Sequence, residues 1–332
     1  MITKTKMPQD AVVAVTYRCN ARCVMCNIWQ IKDYPELLPE AYWRLPKTLR
    51  DINISGGEPF LRTDLVDIVK AMRRACPKAN INISSNGFLV ETIKKVLPQI
   101  KKIYPDIAIS ISIDGIGQMH EAVRRVPNAW PKVVESLNFC RNLLGRHKVK
   151  MAFTLNDTNY NELQKAFEWS ERLGVDFTMA IAHSSDIYFA KAQENKNFQS
   201  AEVKKQFEHI IKKFLNSAYP KNWARAYFVD GLYKLSQGEK RPLQQFAGED
   251  FFFLDPRGDV YPSVIDSTIM GNIFSFRNFR DLWYSEQAHK ARTKIRGFED
   301  DYWMVCTART AMKRNPLRII NWVFKKKLSW GK

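Results

Sequence analysis

Three closely spaced cysteines are the residues of this sequence most suited to chemistry. Cys19, Cys23 and Cys26 have the spacing Cys-x3-Cys-x2-Cys and are half of the six cysteines in the 332-residue chain. Cysteines clustered in this way are typical of metal sites where thiols stay reduced. A structural zinc ion usually takes four protein ligands, whereas three thiolates can hold a four-iron cluster and leave one iron open. The spacing therefore predicts a metal centre.

Further polar motifs follow other strand-like segments. They are Gly56-Gly57-Glu58-Pro59, the run Ser84 to Gly87 that contains Ser85 and Asn86, and the pair Ser112 and Asp114. The carboxyl ends of parallel strands meet at one edge of a sheet, where the active sites of barrel enzymes lie. We therefore expect these motifs and the cysteines to share one site.

The pattern of apolar residues predicts the elements that position this site. Six β-rich runs alternate with amphipathic helical stretches over residues 1–185, which is typical of a parallel sheet with helices outside. We predict an α/β fold, a partial (β/α)6 TIM-type barrel, with a smaller α+β C-terminal extension. The domains would be the barrel at 1–185, a helical connection at 186–240 and the extension at 241–332.

The cysteine motif resembles the cluster loop of the radical S-adenosylmethionine (SAM) family, CxxxCxxC after the first barrel strand. The resemblance implies one [4Fe-4S] cluster on the three cysteines, and SAM cleaved to a 5′-deoxyadenosyl radical that abstracts hydrogen from substrate. It also implies SAM contacts, from the amino group through adenosine and ribose to the carboxylate, at Gly56, Gly57, Glu58, Pro59, Ser85, Asn86, Ser112, Asp114 and Arg124. Arg125 is an alternative partner for the SAM carboxylate.

The C-terminal region resembles the SPASM/Twitch extension of many family members, which carries auxiliary iron–sulfur clusters. The family pattern would place cysteines near Gln245, at Ser263 and near Tyr302, yet only Cys306 is present. One thiolate cannot hold a cluster alone, so we predict an extension without a cluster. This favours a redox-neutral reaction such as epimerisation, with Cys306 as the candidate hydrogen-atom donor or else a leftover buried thiol.

The charge composition indicates which kinds of partner the protein would bind. The chain has 52 Lys and Arg against 34 Asp and Glu, a net charge of +18, which favours anionic partners or simply gives a basic, soluble surface. We expect a small anionic or sugar-containing substrate and a reductase or flavodoxin-type electron donor, with no specific nucleic acid. The basic amphipathic helix near residues 316–327 either docks on its own domain or contacts a membrane surface.

No apolar run long enough to cross a bilayer and no signal peptide occur, so the sequence predicts a cytoplasmic protein, with membrane association through that last helix as an option. Two alternatives within the family are a peptide maturase and a dehydrogenase. A third, from another class, is a zinc-stabilised nucleic-acid-binding protein.

Overall fold

Six parallel strands form the core of the molecule. The computed structural model describes residues 5–185, 196–296 and 302–330. The strands are β1 Asp10–Thr16, β2 Asp51–Gly56, β3 Asn80–Ser85, β4 Ala108–Ser112, β5 Val149–Leu155 and β6 Asp176–Ile181. Each pairs in parallel with the next along the chain. The predicted α/β fold with a partial TIM-type barrel is confirmed.

Helices pack on one face of this sheet. Those of the first half are α1 Leu65–Ala75, α2 Val90–Ile103, α3 Gln118–Arg124, α4 Ala129–Leu144 and α5 Leu163–Leu173. In α1 the buried residues recur at helical spacing, from Leu65 through Ile68 to Met72, which gives an apolar stripe for the sheet. The link between β1 and β2 is an exception to the predicted strand–helix units. It holds only short helical turns at Ile28–Gln30 and Pro39–Arg44, because the cysteine loop occupies this connection.

The C-terminal region extends the same sheet. Strand β7 (Phe251–Leu254) pairs in parallel with β1, and β8 (Asp259–Tyr261) and β9 (Gly271–Asn272) follow in antiparallel order. The predicted hairpin is confirmed, and Gly258 in its turn has a φ of +93° that suits glycine. The strand order in the described residues is β6-β5-β4-β3-β2-β1-β7-β8-β9. The extension therefore lies directly beside the strand that leads into the cysteine loop.

The remaining helices border this sheet. They are α6 Ala201–Leu215, α7 Pro220–Ser236, α8 Phe279–Trp283, α9 Glu286–Arg296, α10 Val305–Arg314 and α11 Pro316–Trp330. Helix α10 packs on β1 and β7, and its Arg309 and Lys313 form ion pairs with Asp10 and Asp51 at the amino-terminal end of the sheet. Within the described residues, no helix combines the length and apolar character that crossing a bilayer requires.

Candidate active site

The cysteine loop starts where β1 ends and is held by helix α3. The amides of Arg22 and Val24 donate to the carbonyl oxygens of Arg124 and Val123, at 3.2 and 3.0 Å. Cys23 is buried, while Cys19 and Cys26 are half-buried. The latter two pack against an apolar wall formed by Tyr17, Ile28, Phe253, Tyr261, Val264 and Met304, to which the C-terminal region contributes the last four. The loop therefore has a fixed backbone and a largely dry inner side.

The thiols of this loop favour a cationic ligand. Burial, with a smaller contribution from neighbouring thiols, raises the pKa of Cys19 to about 12 and that of Cys26 to about 11. A bound metal group compensates this cost, because its positive charge stabilises the thiolates. A second source of positive charge is Arg124, whose Nη1 lies 3.6 Å from Cys23 Sγ. These features fit an iron–sulfur cluster on the three thiols.

No three histidine, cysteine, aspartate or glutamate side chains among residues 5–185, 196–296 and 302–330 converge on the position of one metal ion. Ligands of a four-iron cluster do not have to converge in this way, because each thiolate binds a different iron.

Gly56 and Gly57 allow β2 to approach the cysteine loop closely. A Cβ atom at Gly56 would lie 2.1 Å from Thr16 O, and one at Gly57 would lie 2.1 Å from Arg18 O. Gly57 N donates to Thr16 O at 2.8 Å, and Glu58 N donates to Arg18 O at 2.9 Å. The two glycines are thus needed for backbone contact with the start of the loop. Their predicted contact with SAM stays a prediction.

Glu58 connects β2 to the loop after β3. Its carboxylate is fully buried; Oε1 accepts from Ser85 Oγ at 2.9 Å and from Phe60 N at 3.1 Å, and Oε2 accepts from Asn86 N at 2.7 Å. Burial raises the pKa of Glu58 to about 7, against the lowering effect of these donors. Asn86 Nδ2 in turn donates to Asn20 Oδ1 at 2.7 Å. Glu58 therefore fixes the loop after β3, and Asn86 ties that loop to the cysteine loop.

Pro59 begins a short helical turn, Pro59–Leu61, directly after this carboxylate. The bonds described above show that Glu58, Ser85 and Asn86 bind one another. Their assigned roles toward the SAM amino group and adenosine stay predictions, as does the role of Pro59.

Asp114 and Arg124 form a buried ion pair next to the cysteines. Arg124 Nη2 lies 2.6 Å from Asp114 Oδ2, and Asp114 Oδ1 accepts from Thr154 N at 2.7 Å. Burial lowers the pKa of Arg124, but the negative charges of Asp114 and Cys23 together have a larger opposite effect. The pKa of Arg124 is therefore raised above its ordinary value. Burial raises the pKa of Asp114, and Arg124 opposes this rise. The arginine thus stays charged between a carboxylate and a thiol.

The same arginine keeps an unused donor. Arg124 Nε is buried and has no hydrogen-bond partner within the described part of the chain, which fits the predicted contact with a carboxylate of SAM. Arg125, the alternative, is exposed and has a φ of +53° at the end of α3. The geometry thus leaves a donor for the predicted role of Arg124.

Ser112 is half-buried at the end of β4, opposite Ala152 of β5.

His120 is a neighbour that the sequence did not single out. Its Nδ1 accepts from Asp114 N at 3.1 Å, and burial, followed by the charge of Arg124, lowers the pKa of His120 to about 3. A neutral imidazole therefore supports the Asp114 backbone. Asn20 was missed as well, because only its contact with Asn86 in the folded chain shows its role.

Cys306 lies apart from these motifs. Its charged neighbours include Arg309 and Asp10, the first residue of β1, whereas the cysteine loop follows the other end of that strand. Burial raises its pKa to about 11. The phenol of Tyr302 lies beside Ser263, Gln245 and Cys306. The positions at which the family pattern would place cysteines therefore come together in space.

An open cavity of about 580 Å³ adjoins the outer side of the cysteine loop. It is lined by Cys19, Asn20, Arg22, Trp29, Gln30 and Lys32. Arg22 stacks over the Trp29 ring with its guanidinium carbon 5.9 Å from the ring centroid. The rim of this cavity is thus basic.

Comparison with known proteins identifies the family. Residues 13–170 match the family model of the Radical SAM superfamily. The chain is 25% identical over 308 residues to pre-heme d1 synthase of Dinoroseobacter shibae, covering 83% of this chain and 73% of that protein. It is 26% identical over 176 residues to a probable GTP 3′,8-cyclase of Saccharolobus islandicus, covering 51% of this chain and 54% of the cyclase. It thus spans about half the length of the cyclases that it matches.

Solved structures agree on the fold. A crystal structure of Streptococcus suis SuiB bound to S-adenosylmethionine superposes with a TM-score of 0.64 at 15% identity, over 88% of this chain and 68% of SuiB. Residues 13–170 thus form a radical SAM domain, and a [4Fe-4S] cluster and SAM are the cofactors of this family. This membership favours the iron–sulfur prediction over the zinc alternative.

Proposed function

We propose that the protein cleaves SAM reductively at a cluster bound by Cys19, Cys23 and Cys26 and abstracts hydrogen from a small anionic or sugar-containing substrate. The observation that carries the proposal is the arrangement at the carboxyl edge of the sheet. There Arg124 contacts both Asp114 and the Cys23 thiol, and the loop anchored by Glu58 contacts the cysteine loop through Asn86 and Asn20. When bound, the cluster supplies an electron and SAM supplies the radical that abstracts hydrogen.

The chain's own residues orient and shield this chemistry. The apolar wall of the cysteine loop keeps water from one side of the thiols. Arg124 supplies a fixed positive charge, and its Nε is aimed at no other group in the described residues. Glu58 and Asn86 hold the loops after β2 and β3 in one arrangement. Pre-organisation of this kind reduces the cost of positioning a cofactor against a substrate.

The test is anaerobic reconstitution followed by iron and sulfide analysis and EPR with and without SAM. About four irons per chain, with a spectrum that SAM alters, are expected. Cys23→Ala should lose the iron. The matched control is Cys140→Ala, because Cys140 is a buried thiol of α4 outside the site. Retention of all iron in Cys23→Ala, or zinc in place of iron, would contradict the proposal.

We further propose that the reaction is redox-neutral. Gln245, Ser263 and Tyr302 are not cluster ligands of the usual thiolate kind, so the extension would hold no second cluster. About eight irons per chain would overturn this part and reopen the dehydrogenase alternative. Cys306 is then the candidate hydrogen-atom donor of an epimerisation, although its neighbours lie toward the amino end of β1.

Anionic substrates occur among the similar proteins, since one relative is named for GTP. The peptide-maturase alternative draws on a SuiB structure whose title includes a bound precursor peptide, but at 14% identity that likeness concerns the fold. A peptide maturase and an enzyme of small anionic substrates would differ in what they bind, because a peptide substrate would not need a site for a small anion.

An electron donor of the flavodoxin type is part of the proposal. The exposed Arg22 and the neighbouring Lys32 line the basic cavity beside Cys19, and a donor with an acidic surface would complement them. Opposite charges favour productive encounter more than tight binding. Arg22→Glu should therefore slow the reduction by such a donor, with a weaker effect at high salt.

Helix α11 supports the proposed membrane contact. Val323 is buried, and the Trp322 ring packs against Tyr227 of α7 at 5.3 Å, so one face docks on the protein as expected. A second apolar face remains exposed: Leu317 (79%), Ile320 (50%), Phe324 (65%) and Leu328 (72%). The helix contains no acidic residue and carries Arg318 and three consecutive lysines, Lys325–Lys327. This composition fits a surface of anionic lipid.

Sedimentation with vesicles tests this contact. The wild-type protein should bind vesicles that contain phosphatidylglycerol and not those of phosphatidylcholine alone. Leu317→Ser/Phe324→Ser should lose this binding, because those substitutions remove apolar area without changing charge. Leu38→Ser is the control, since Leu38 is equally exposed (70%) outside α11. Equal binding by both variants would contradict membrane contact through α11.

A further inference from the structure

One face of the sheet is polar, unlike the interior of a closed barrel. In β2, β3, β5 and β6 the residues alternate between fully buried apolar side chains and half-exposed polar or small ones. We use the term polar face for Asn53, Asn82, Ser84, Ser110, Lys150 and Thr178. The strand register places them on one side, since Asn53 pairs with Asn82, Ser84 with Ser110, and Ser110 with Lys150.

Barrel interiors are usually filled by layers of Val, Ile and Leu. Here those residue types lie on the opposite face, as Ile52, Ile54, Ile81, Ile83 and Ile109, which are all buried. Hydroxyl and amide groups on a half-exposed interior face hold water or a polar ligand, because burying them unpaired is costly. The polar face is therefore suited to a hydrophilic molecule.

Hydrogen bonds connect the polar face into a ladder. Asn82 Nδ2 and Ser84 Oγ both donate to Asn53 Oδ1, at 2.7 and 3.0 Å. Ser110 Oγ and Lys150 Nζ both donate to Asn82 Oδ1, at 3.1 and 3.4 Å. The ladder fixes the orientation of the amides and ends at the lysine. A ligand would thus meet pre-oriented amide and hydroxyl groups.

Lys150 has no carboxylate within ion-pair distance in the described residues, which sets it apart from the cations around it. Its register partner Asp176 already binds Arg225 at 2.5 Å and Lys221 at 2.9 Å. Burial and the nearby cations Lys221, Arg309 and Arg225 lower the pKa of Lys150, and Asp176 opposes this. Because no carboxylate of the described residues lies within ion-pair distance of Lys150, a bound anion would stabilise its charged form.

We propose that Lys150 binds the anionic group of the substrate while Asn82 and Ser110 bind adjacent hydroxyl groups. The substrate class is then a small hydroxyl-rich molecule that carries a phosphate or a carboxylate. This inference rests on the proposed function, because it names the class of substrate that would lie along the polar face, between the carboxyl edge of the sheet and Lys150, the second residue of β5. Lys150 acts as a specificity-determining residue that has no part in holding the cluster.

Calorimetric titration of the reconstituted holoenzyme tests the inference. The probes are glucose 6-phosphate, gluconate and neutral glucose, all at constant ionic strength. Lys150→Met removes the charge with little change in length, and Lys150→Arg retains it. The control is Lys148→Met, because Lys148 lies two residues earlier and is exposed in an ion pair with Asp106.

At least one anionic probe should bind the wild type at least tenfold more tightly than glucose. Lys150→Met should weaken this binding about tenfold, which equals about 1.4 kcal/mol, and should leave the binding of glucose unchanged. Lys150→Arg should recover most of the affinity. Lys148→Met should match the wild type.

Three results would overturn the inference: no binding of either anion by the wild type, equal losses in Lys150→Met and Lys148→Met, or no loss in Lys150→Met. Equal losses would mean that the anions bind the basic surface in general. Iron content and SAM cleavage, measured on the same preparations, separate this failure from that of the proposed function. A protein with a normal cluster and normal SAM cleavage but unchanged anion binding would refute only the role of Lys150.

Discussion

Replacing Arg124 with methionine would leave the Asp114 carboxylate buried without its counter-charge. The two groups lie 2.6 Å apart, and Asp114 is fully buried while Arg124 is only 8% exposed. Water is therefore unable to replace the lost guanidinium without opening the structure. Removing one partner of such a pair typically costs about 3–5 kcal/mol. We expect Arg124→Met to lower the free energy of unfolding by that amount.

The assay is urea unfolding of the apo protein, followed by circular dichroism, as a double-mutant cycle with Asp114→Asn. The double variant should lose less than the sum of the single losses, with a coupling energy above about 1 kcal/mol. Lys148→Met is the control, because its pair with Asp106 is exposed and such pairs contribute about 1 kcal/mol or less.

The dependence on pH gives an independent check. In Arg124→Met the pKa of Asp114 should rise further above its ordinary value, since burial acts without the opposing cation. A carboxyl with a raised folded-state pKa is stabilised in its protonated form, so the loss of stability should grow as the pH rises from 5 to 8. A loss below about 1 kcal/mol at pH 8, or strictly additive losses in the cycle, would refute the reasoning.

Three further outcomes are expected. Gly57→Ala should reduce the iron content after reconstitution, because its Cβ would lie 2.1 Å from the Arg18 carbonyl oxygen and displace the cysteine loop. Glu58→Gln should abolish a fall in stability of roughly 3 kcal/mol between pH 4.5 and 7, measured by urea unfolding. The sign follows because the folded state binds the Glu58 proton more tightly than the unfolded state, so stability drops as the pH rises through this range. Cys306→Ala should leave iron content at the wild-type level, as expected if the cluster uses only the three loop cysteines.

Matched variants serve as controls for these experiments. Gly117→Ala is the control for Gly57, since no atom lies within 4 Å of an added Cβ there and only its positive φ adds strain. Glu91→Gln is the control for Glu58, because Glu91 is an exposed residue of α2. Equal iron losses in both glycine variants, an unchanged pH profile in Glu58→Gln, or halved iron in Cys306→Ala would each contradict the corresponding expectation.

Local patterns in the sequence predicted much of the fold. The six strands and the hairpin after residue 250 follow from alternating and β-branched runs with turn residues between them, which are properties of neighbouring residues. The pairing of β7 with β1 joins segments about 240 residues apart, and no local period encodes such a contact. No α-helix forms between β1 and β2, because the cysteine loop occupies this connection. The residues of that loop indicate a metal site and not a helix or a strand.

For the candidate site, too, the sequence predicted individual residues but not the contacts between residues far apart in the chain. Spacing predicted a metal centre at the three cysteines, and the resemblance to the radical SAM family implied that Glu58, Asp114 and Arg124 contact SAM. The sequence did not show that Glu58 binds Ser85 and Asn86, or that Asp114 faces Arg124. Those contacts depend on how four loops meet at one edge of the sheet. The ladder ending at Lys150 was missed for a related reason, since it needs the register of four strands.

The pairing of β1 with β7 has a consequence for biosynthesis. Strand β1 is synthesised well before β7, so its second neighbour is not complete until residue 254. Until then one edge of β1 has unpaired backbone groups, which is a hazard for aggregation, and the contact is slow to form because of its long sequence separation. Phe253, Val264 and Met304, which wall the cysteine loop, are also absent during this period. The thiols of Cys19 and Cys26 are therefore more exposed in the nascent chain than in the folded protein, until synthesis of the C-terminal region completes the wall.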